Sequence, residues 1–292
     1  MRRFIRYSLV LIVLLFSFSC SKNIHQTSLH TGSKSVVQRA VPLVHAHAHN
    51  DYAHVHPLFD ALDHGFCSVE ADIYLLDGTL YVTHDEKDIQ KKRTLASLYL
   101  DPLQKRIKAN GGHVYQGIKQ ITLFIDIKSD ADSTYRVLRK VFKKYKNMLT
   151  QFTPLGRKDR AIVVILSGNR PFDLMRNERT RYAACDGRIA DLDHDSNVNL
   201  VPIISDKWTD FFKWHGNGEM PDDERQRLHQ YVKRAHANGQ RIRFWSTDTD
   251  SLEFQHNLWR ALIRADVDLI NTDDLSSLQN FLLKKRKRIL FY

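Results

Sequence analysis

From residue 41 onward, short apolar runs of strand length alternate with longer stretches whose apolar positions recur at helical spacing. The runs are 42–48 (PLVHAHA), 67–74 (CSVEADIY), 121–127 (ITLFIDI), 161–167 (AIVVILS), 185–190 (CDGRIA), 199–205 (NLVPIIS), 241–246 (RIRFWS) and 267–272 (VDLINT). Helices are predicted between them at 56–64, 131–149, 171–180, 221–238 and 251–265. Gly65 and Gly239 close the first and fourth of these, and Pro221 with the acids Asp222, Asp223 and Glu224 opens the fourth. Eight strands in succession, each followed by a helical or loop segment, predict parallel βα units and a closed TIM-type (β/α)8 barrel of the α/β class. A doubly wound open sheet is the other fold with this alternation.

The chain has 292 residues, and a barrel of about 250 fits residues 41–292 as one domain. The barrel has one functional consequence, because its active sites form at the C-terminal ends of the strands. Side chains two apart on a strand share a face. Glu70 and Asp72 therefore point the same way, as do His45, His47 and His49, with only His49 at the strand's exit. His47 lies one layer deeper and is the second choice, while His45 reads as a filler or hydrogen-bonded core residue. Asp126 and Lys128 share a face at the end of the third run. His84 follows a short apolar stretch after Glu70 and Asp72. Two imidazoles and three carboxylates at strand ends can bind a divalent metal and move protons.

The net charge is +11, from 44 basic and 33 acidic residues. Such a surface attracts anions in general and does not by itself choose among nucleic acid, anionic lipid and phosphorylated small molecules. The basic KKRKR at 284–288 reads as a solvated helix end. The first residues are more specific. MRRFIRY followed by SLVLIVLLFSF has the layout of an export signal and is too short to span a bilayer stably. Cys20 comes directly after it, so residues 1–20 resemble a bacterial lipoprotein signal, although Phe18 and Ser17 depart from the usual lipobox. The expectation is an exported, membrane-anchored lipoprotein, in the periplasm or at the cell surface. Cys20 would be its lipid anchor and the polar residues 21–40 its tether. An uncleaved signal anchor is the alternative. Cys67 and Cys185 read as small buried residues, which excludes a disulfide framework or a thiolate zinc site.

The order His, Glu-x-Asp, His-Asp, Asp-x-Lys is carried by HNDY (49–52), SVEAD (68–72), THDE (83–86) and FIDIKSD (124–130). With RFWSTD (243–248) and DLINTDDL (268–275), it resembles the glycerophosphodiester phosphodiesterase and PI-phospholipase C superfamily, in a phosphodiesterase-like branch. The resemblance implies His49 and His84 as the general acid/base pair, and Glu70, Asp72 and Asp126 as ligands of Mg2+ or Ca2+. It further implies Lys128 against a phosphate oxygen and a small-molecule or lipid phosphodiester as substrate, with no nucleic acid partner. Asn50 and Trp245 are expected to contact that substrate. The family's His-Arg-Gly reads His49-Asn50-Asp51 here, and its later Pro-Glu-Asn ligand segment is missing, so Asn50 or Asp51 is the expected replacement. Two other functions fit parts of the pattern. An amidohydrolase or PHP-type metal hydrolase would use the early His-x-His but needs later strand-end histidines, of which only His194 qualifies. A non-catalytic lipoprotein could keep the barrel and capture phosphorylated ligands.

Overall fold

The computed structural model describes residues 40–193 and 197–290, with side chains as far as Lys284. The signal segment, Cys20, most of the tether and His194 lie outside the described residues. Eight parallel strands form the barrel: β1 (Leu43–Ala48), β2 (Phe66–Leu76), β3 (Ile121–Ile127), β4 (Ile162–Gly168), β5 (Ala184–Gly187), β6 (Ile203–Lys207), β7 (Arg241–Trp245) and β8 (Leu269–Thr272). Each strand pairs with its neighbour in sequence, and β8 pairs back onto β1, with Ala46 opposite Ile270 and Ala48 opposite Thr272. That last pairing closes the ring and excludes the open doubly wound sheet.

All eight expected runs form strands. The fifth is cut short at Gly187 and continues as a 3-10 turn, Ile189–Asp193. The sixth is displaced toward its C-terminal end, since Pro202 has no N–H to give a ladder and the strand begins only at Ile203. The principal helices are α1 (Phe59–Asp63), α2 (Asp101–Ala109), α3 (Ala131–Lys144), α4 (Phe172–Arg176), α5 (Trp208–Phe211), α6 (Asp222–Ala237), α7 (Leu252–Arg264) and α8 (Leu275–Leu290). Two features were not anticipated. Beyond the barrel rim β2 runs on into a hairpin with strand Thr79–Val82, turned by Asp77 and Gly78, both at positive φ. A second hairpin, Gln151–Thr153 with Gly156–Lys158, precedes β4.

Side-chain alternation divides the packing in two. One face of the sheet packs against the surrounding helices through residues such as Ala46, Val69, Ala71, Leu123, Ile125, Val164 and Leu166. The other face fills the barrel, where Phe124, Val163, Ile165, Ala184, Ile203 and Leu269 form a separate apolar plug with Phe152 from the second hairpin. Register stacks the interior in layers: Glu70, Phe124 and Ile165 lie in one, and Asp72, Asp126 and Ser167 in the next toward the mouth. Cys67 and Cys185 are free and buried, as expected. His45, in contrast, is exposed at the foot of β1, its ring nitrogen 2.9 Å from the Asp268 carbonyl. The glycine-containing loop at 215–221 is packed down: Asn257 donates to the Gly216 carbonyl at 2.8 Å, and a Cβ on Gly216 would fall 2.1 Å from the Phe254 carbonyl oxygen.

The loop after β1 carries the first site residues and is held by Asp51. This carboxylate is fully buried, accepting from the Leu58 N–H at 2.6 Å and from the Tyr99 hydroxyl at 2.7 Å, while its Oδ1 has no hydrogen-bond partner. Burial pushes its pKa up to about 6, against the lowering effect of those two bonds. A carboxyl raised in the folded state contributes stability below its unfolded pKa and loses it as pH rises through the folded value. The stability advantage of Asp51→Asn over the wild type should therefore grow between pH 4 and pH 8, by up to about 3 kcal/mol. Urea denaturation of both proteins across that range measures it; a difference independent of pH would contradict this assignment.

Candidate active site

An ionic lattice built on β1, β2, β6 and β7 lies inside the barrel. Arg243 Nη1 donates to Glu70 Oε2 at 2.6 Å and contacts His47 Nε2, while Arg243 Nε donates to Ser205 Oγ at 2.7 Å. His47 is in turn 3.0 Å from Glu70 Oε2 and 2.7 Å from Ser68 Oγ. The guanidinium lies over Phe124, its Cζ 4.2 Å from the ring centroid, and the His47 ring meets the same phenyl edge-on. All of these side chains are buried. Burial alone would raise the Glu70 carboxyl, but the Arg243 charge and the hydrogen bond from His47 hold it well below the usual range. Burial, then Arg243, drives His47 down to about 3, so it is a neutral imidazole. Its full engagement leaves His49 as the histidine at the mouth.

Toward the mouth, Asp72 and Asp126 of the next layer converge with Glu70. Glu70, Asp72 and Asp126 each offer an oxygen, and these atoms all lie within 4.8 Å of one another. Lys128 Nζ stands 3.2 Å from Asp72 and 3.2 Å from Asp126. Both Asp72 oxygens and Asp126 Oδ1 are nevertheless buried with no hydrogen-bond partner. Burial and then the neighbouring Glu70 charge push Asp72 up to about 7, and burial raises Asp126 as well. Orphaned buried carboxylate oxygens are costly, and two such groups converging with Glu70 fit a hard cation that takes oxygen ligands. Gly168 makes room for them, since a Cβ there would fall 2.0 Å from Asp126 Oδ1.

His49 lies at the edge of this group, its Nε2 3.8 Å from Glu70 Oε1 and its Nδ1 2.8 Å from Asp273 Oδ1. Burial opposes its protonation, but the Asp273 hydrogen bond and the Glu70 charge outweigh that and raise its pKa. Asn50, at a left-handed φ of 48°, turns its amide back to within 2.9 Å of His49 Nδ1 and 3.4 Å of Asp273. The Tyr52 hydroxyl donates to Asn50 Oδ1 at 3.3 Å. Of the two residues expected to replace the missing family ligands, Asp51 is therefore bound inward to Leu58 and Tyr99, and Asn50 faces the site. Trp245, at the end of β7, is half-buried with Lys207 Nζ 5.7 Å from its ring centroid.

The Thr83 N–H donates to the Asp72 carbonyl at 3.1 Å, and His84 follows it, but among the described residues no hydrogen bond or ion pair joins the His84 side chain to Glu70, Asp72, Asp126 or His49. The His84 side chain is more than half exposed and pairs with Asp85 at 3.4 Å. Asp186, Asp273 and Arg243, the cationic partner of Glu70, were missed in sequence. Arg243 stood two residues before Trp245 on a strand whose alternation marks it as inward-facing, and Asp273 followed the last run, so strand parity could have found both. Asp186 is fully buried at the end of β5, held by Ser167 at 2.8 Å and Arg188 at 2.8 Å.

Comparison with known proteins fixes the family. The AIM6-like phosphodiesterase domain matches residues 35–186. The chain is 30% identical over 276 residues to altered inheritance of mitochondria protein 6 of Eremothecium gossypii, covering 83% of this chain and 71% of that one. It is 26% identical over 275 residues to the homologue of that protein from Arthroderma benhamiae, covering 84% and 86%. These fungal relatives overturn the expected localisation as a bacterial exported lipoprotein anchored at Cys20. The lipid-anchor reading rested on a signal of bacterial type whose lipobox already carried bulky Phe18 where a small residue is required. The phosphodiesterase-like resemblance stands without that bacterial lipoprotein branch, and the chain belongs to the AIM6-like phosphodiesterase family.

Proposed function

We propose that this protein is a metal-dependent phosphodiester hydrolase acting on glycerophosphodiesters or phospholipid-like head groups. One observation carries the reading: both Asp72 oxygens and Asp126 Oδ1 are buried without hydrogen-bond partners beside an ionised Glu70, at a mouth that also holds His49. Glu70, Asp72 and Asp126 would hold the cation, with Mg2+ and Ca2+ suited to an all-carboxylate set. When bound, it would neutralise the phosphodiester and stabilise the extra charge of the transition state.

The chain's own groups do the rest. Asp273 fixes the His49 ring through Nδ1, so Nε2 is the nitrogen presented to the reacting hydroxyl, and it takes that proton as general base. The hydroxyl belongs either to water or to the substrate; in the second case the product is a cyclic phosphate. His84, whose side chain is more than half exposed, returns a proton to the leaving alkoxide. Lys128, already directed at the acidic group, meets a phosphate oxygen. Asn50 and Trp245 contact the remainder of the substrate. An amidohydrolase reading finds no support, because among the described residues runs six to eight end in Ser205, Asp206, Ser246 and Asn271 and bring no histidine to the mouth.

The full chain should hydrolyse bis(p-nitrophenyl) phosphate, lose that activity in EDTA and regain it with Mg2+ or Ca2+. His49→Ala and Glu70→Ala should each lower kcat by roughly 100-fold or more. Turnover indifferent to metal, or unchanged in both variants, would sink the proposal, and a folded protein without turnover would favour a phospho-ligand-binding role. Asp273→Asn removes a group that raises His49, so the limb of the pH–rate profile requiring neutral His49 should move to lower pH while the plateau falls. A lower plateau with an unmoved limb would make Asp273 merely structural. Cation binding must displace the Asp72 proton below about pH 7, so Mg2+ or Ca2+ should raise Tm more at pH 8 than at pH 5. Differential scanning fluorimetry of chelator-treated protein checks this, with Asp72→Asn expected to lose the shift.

A further inference from the structure

Beside the acidic mouth lies an open cavity of about 660 Å³, within the usual range for a small-molecule site. Lys128 lines it and also touches Asp72 and Asp126, so the cavity is continuous with the proposed reaction centre. Its second cation is Arg170. That side chain is mostly buried and held in place: Nη1 donates to the Asp186 carbonyl at 2.7 Å, and the guanidinium stacks 4.7 Å above the Phe172 ring. Nη1 also lies 3.6 Å from the buried Asp186 carboxylate, and it is the only Arg170 nitrogen with a hydrogen bond among the described residues. The floor is equally fixed, with Asn169 donating to the Ser129 carbonyl at 2.9 Å and the Ser129 hydroxyl accepting from the Leu75 N–H at 2.9 Å. Ser129 to Ala131 bring in the positive end of α3, a helix of 14 residues. Asp130 is the one carboxylate in the lining, and it is engaged as the N-cap of that helix, accepting from the Ser133 N–H.

We infer that this cavity receives a second anionic group of the substrate, a phosphate monoester or carboxylate carried on one of the two alcohols joined by the scissile phosphodiester. The inference rests on the phosphodiesterase reading and narrows it to acidic diesters. A preorganised guanidinium recognises such a group through charge-assisted, planar hydrogen bonds. A cationic head group would meet Lys128, Arg170 and a helix N-terminus and is disfavoured. Lipid and soluble diesters share this chemistry, and the position of Lys128 at the junction suits either.

The test compares glycerophosphoglycerol with its terminally phosphorylated form, and the two corresponding lysolipids in micelles. The wild type should prefer the phosphorylated partner in kcat/KM by roughly tenfold or more. A preference seen only in micelles assigns the site to lipid, and one seen only in solution to soluble diesters. Arg170→Gln should erase the preference while bis(p-nitrophenyl) phosphate turnover stays within about twofold. Ala131→Asp is the second variant: an acid in the first turn suits the helix, so the fold survives while the excess positive charge of the lining, Lys128 and Arg170 against Asp130, is cancelled, and the preference should again vanish. Equal rates for both members of each pair, a preference that survives both variants, or an Arg170→Gln loss of equal size on every substrate would overturn the inference. If the wild type turns over no diester, the phosphodiesterase reading has failed on its own. Calorimetric binding of the two soluble diesters then decides the inference: tighter binding of the phosphorylated one, lost in Ala131→Asp, upholds it, and equal binding ends it.

Discussion

The barrel interior is organised around a buried arginine. Arg243 sits on β7, separated from β2 by β8 and β1 around the ring, and neutralises Glu70, which would otherwise be an unpaired charge in the protein's centre. Removing one partner of such a pair leaves the other uncompensated, at a cost of about 3–5 kcal/mol. Burial, and then the same guanidinium, keep His47 neutral, and the guanidinium lies over Phe124, so the polar half of the lumen and its apolar plug meet on one side chain. Glu70 is left with one oxygen engaged by Arg243 and His47 and the other turned toward the mouth, near His49.

From that point the layers of the barrel separate two jobs. The Glu70 layer is satisfied and supports the fold. The layer above it, Asp72 with Asp126, is under-satisfied: its carboxylates are buried, raised in pKa and short of hydrogen bonds, with Lys128 as their counter-charge. A stable lower layer lets a costly upper one persist, and concentrated electrostatic strain at the mouth of a rigid barrel is the arrangement expected of a site that binds a cation or an anionic substrate. The loop after β1 repeats the division on a small scale. Adjacent residues Asn50 and Asp51 point opposite ways, one onto His49 and Asp273, the other into the Leu58 and Tyr99 bonds that hold the loop.

Much of this was legible before folding was considered. Strand-length runs with period-two alternation located all eight barrel strands, and the same alternation put Glu70 with Asp72, and Asp126 with Lys128, on one face. Boundaries failed where a local rule intervened, as Pro202 delayed β6. The Asp77-Gly78 pair was a readable hairpin signal that an apolar count alone passed over. Asn50 and Asp51 could not be separated, because the difference lies in a left-handed backbone angle at Asn50 and in a hydroxyl on Tyr99, 48 residues downstream of Asp51.

The sequence by itself determined the elements, their order and the inward face of each strand, since these depend on spacing along one chain. Only the tertiary structure decided which inward residues met: Arg243 with Glu70, His49 with Asp273, Lys128 with both aspartates, and Arg170 with the cavity beside them. Those pairings join residues up to 224 positions apart, and they depend on the stagger at which β8 closes onto β1. Strand register is set by packing across the whole ring, so no local pattern encodes it.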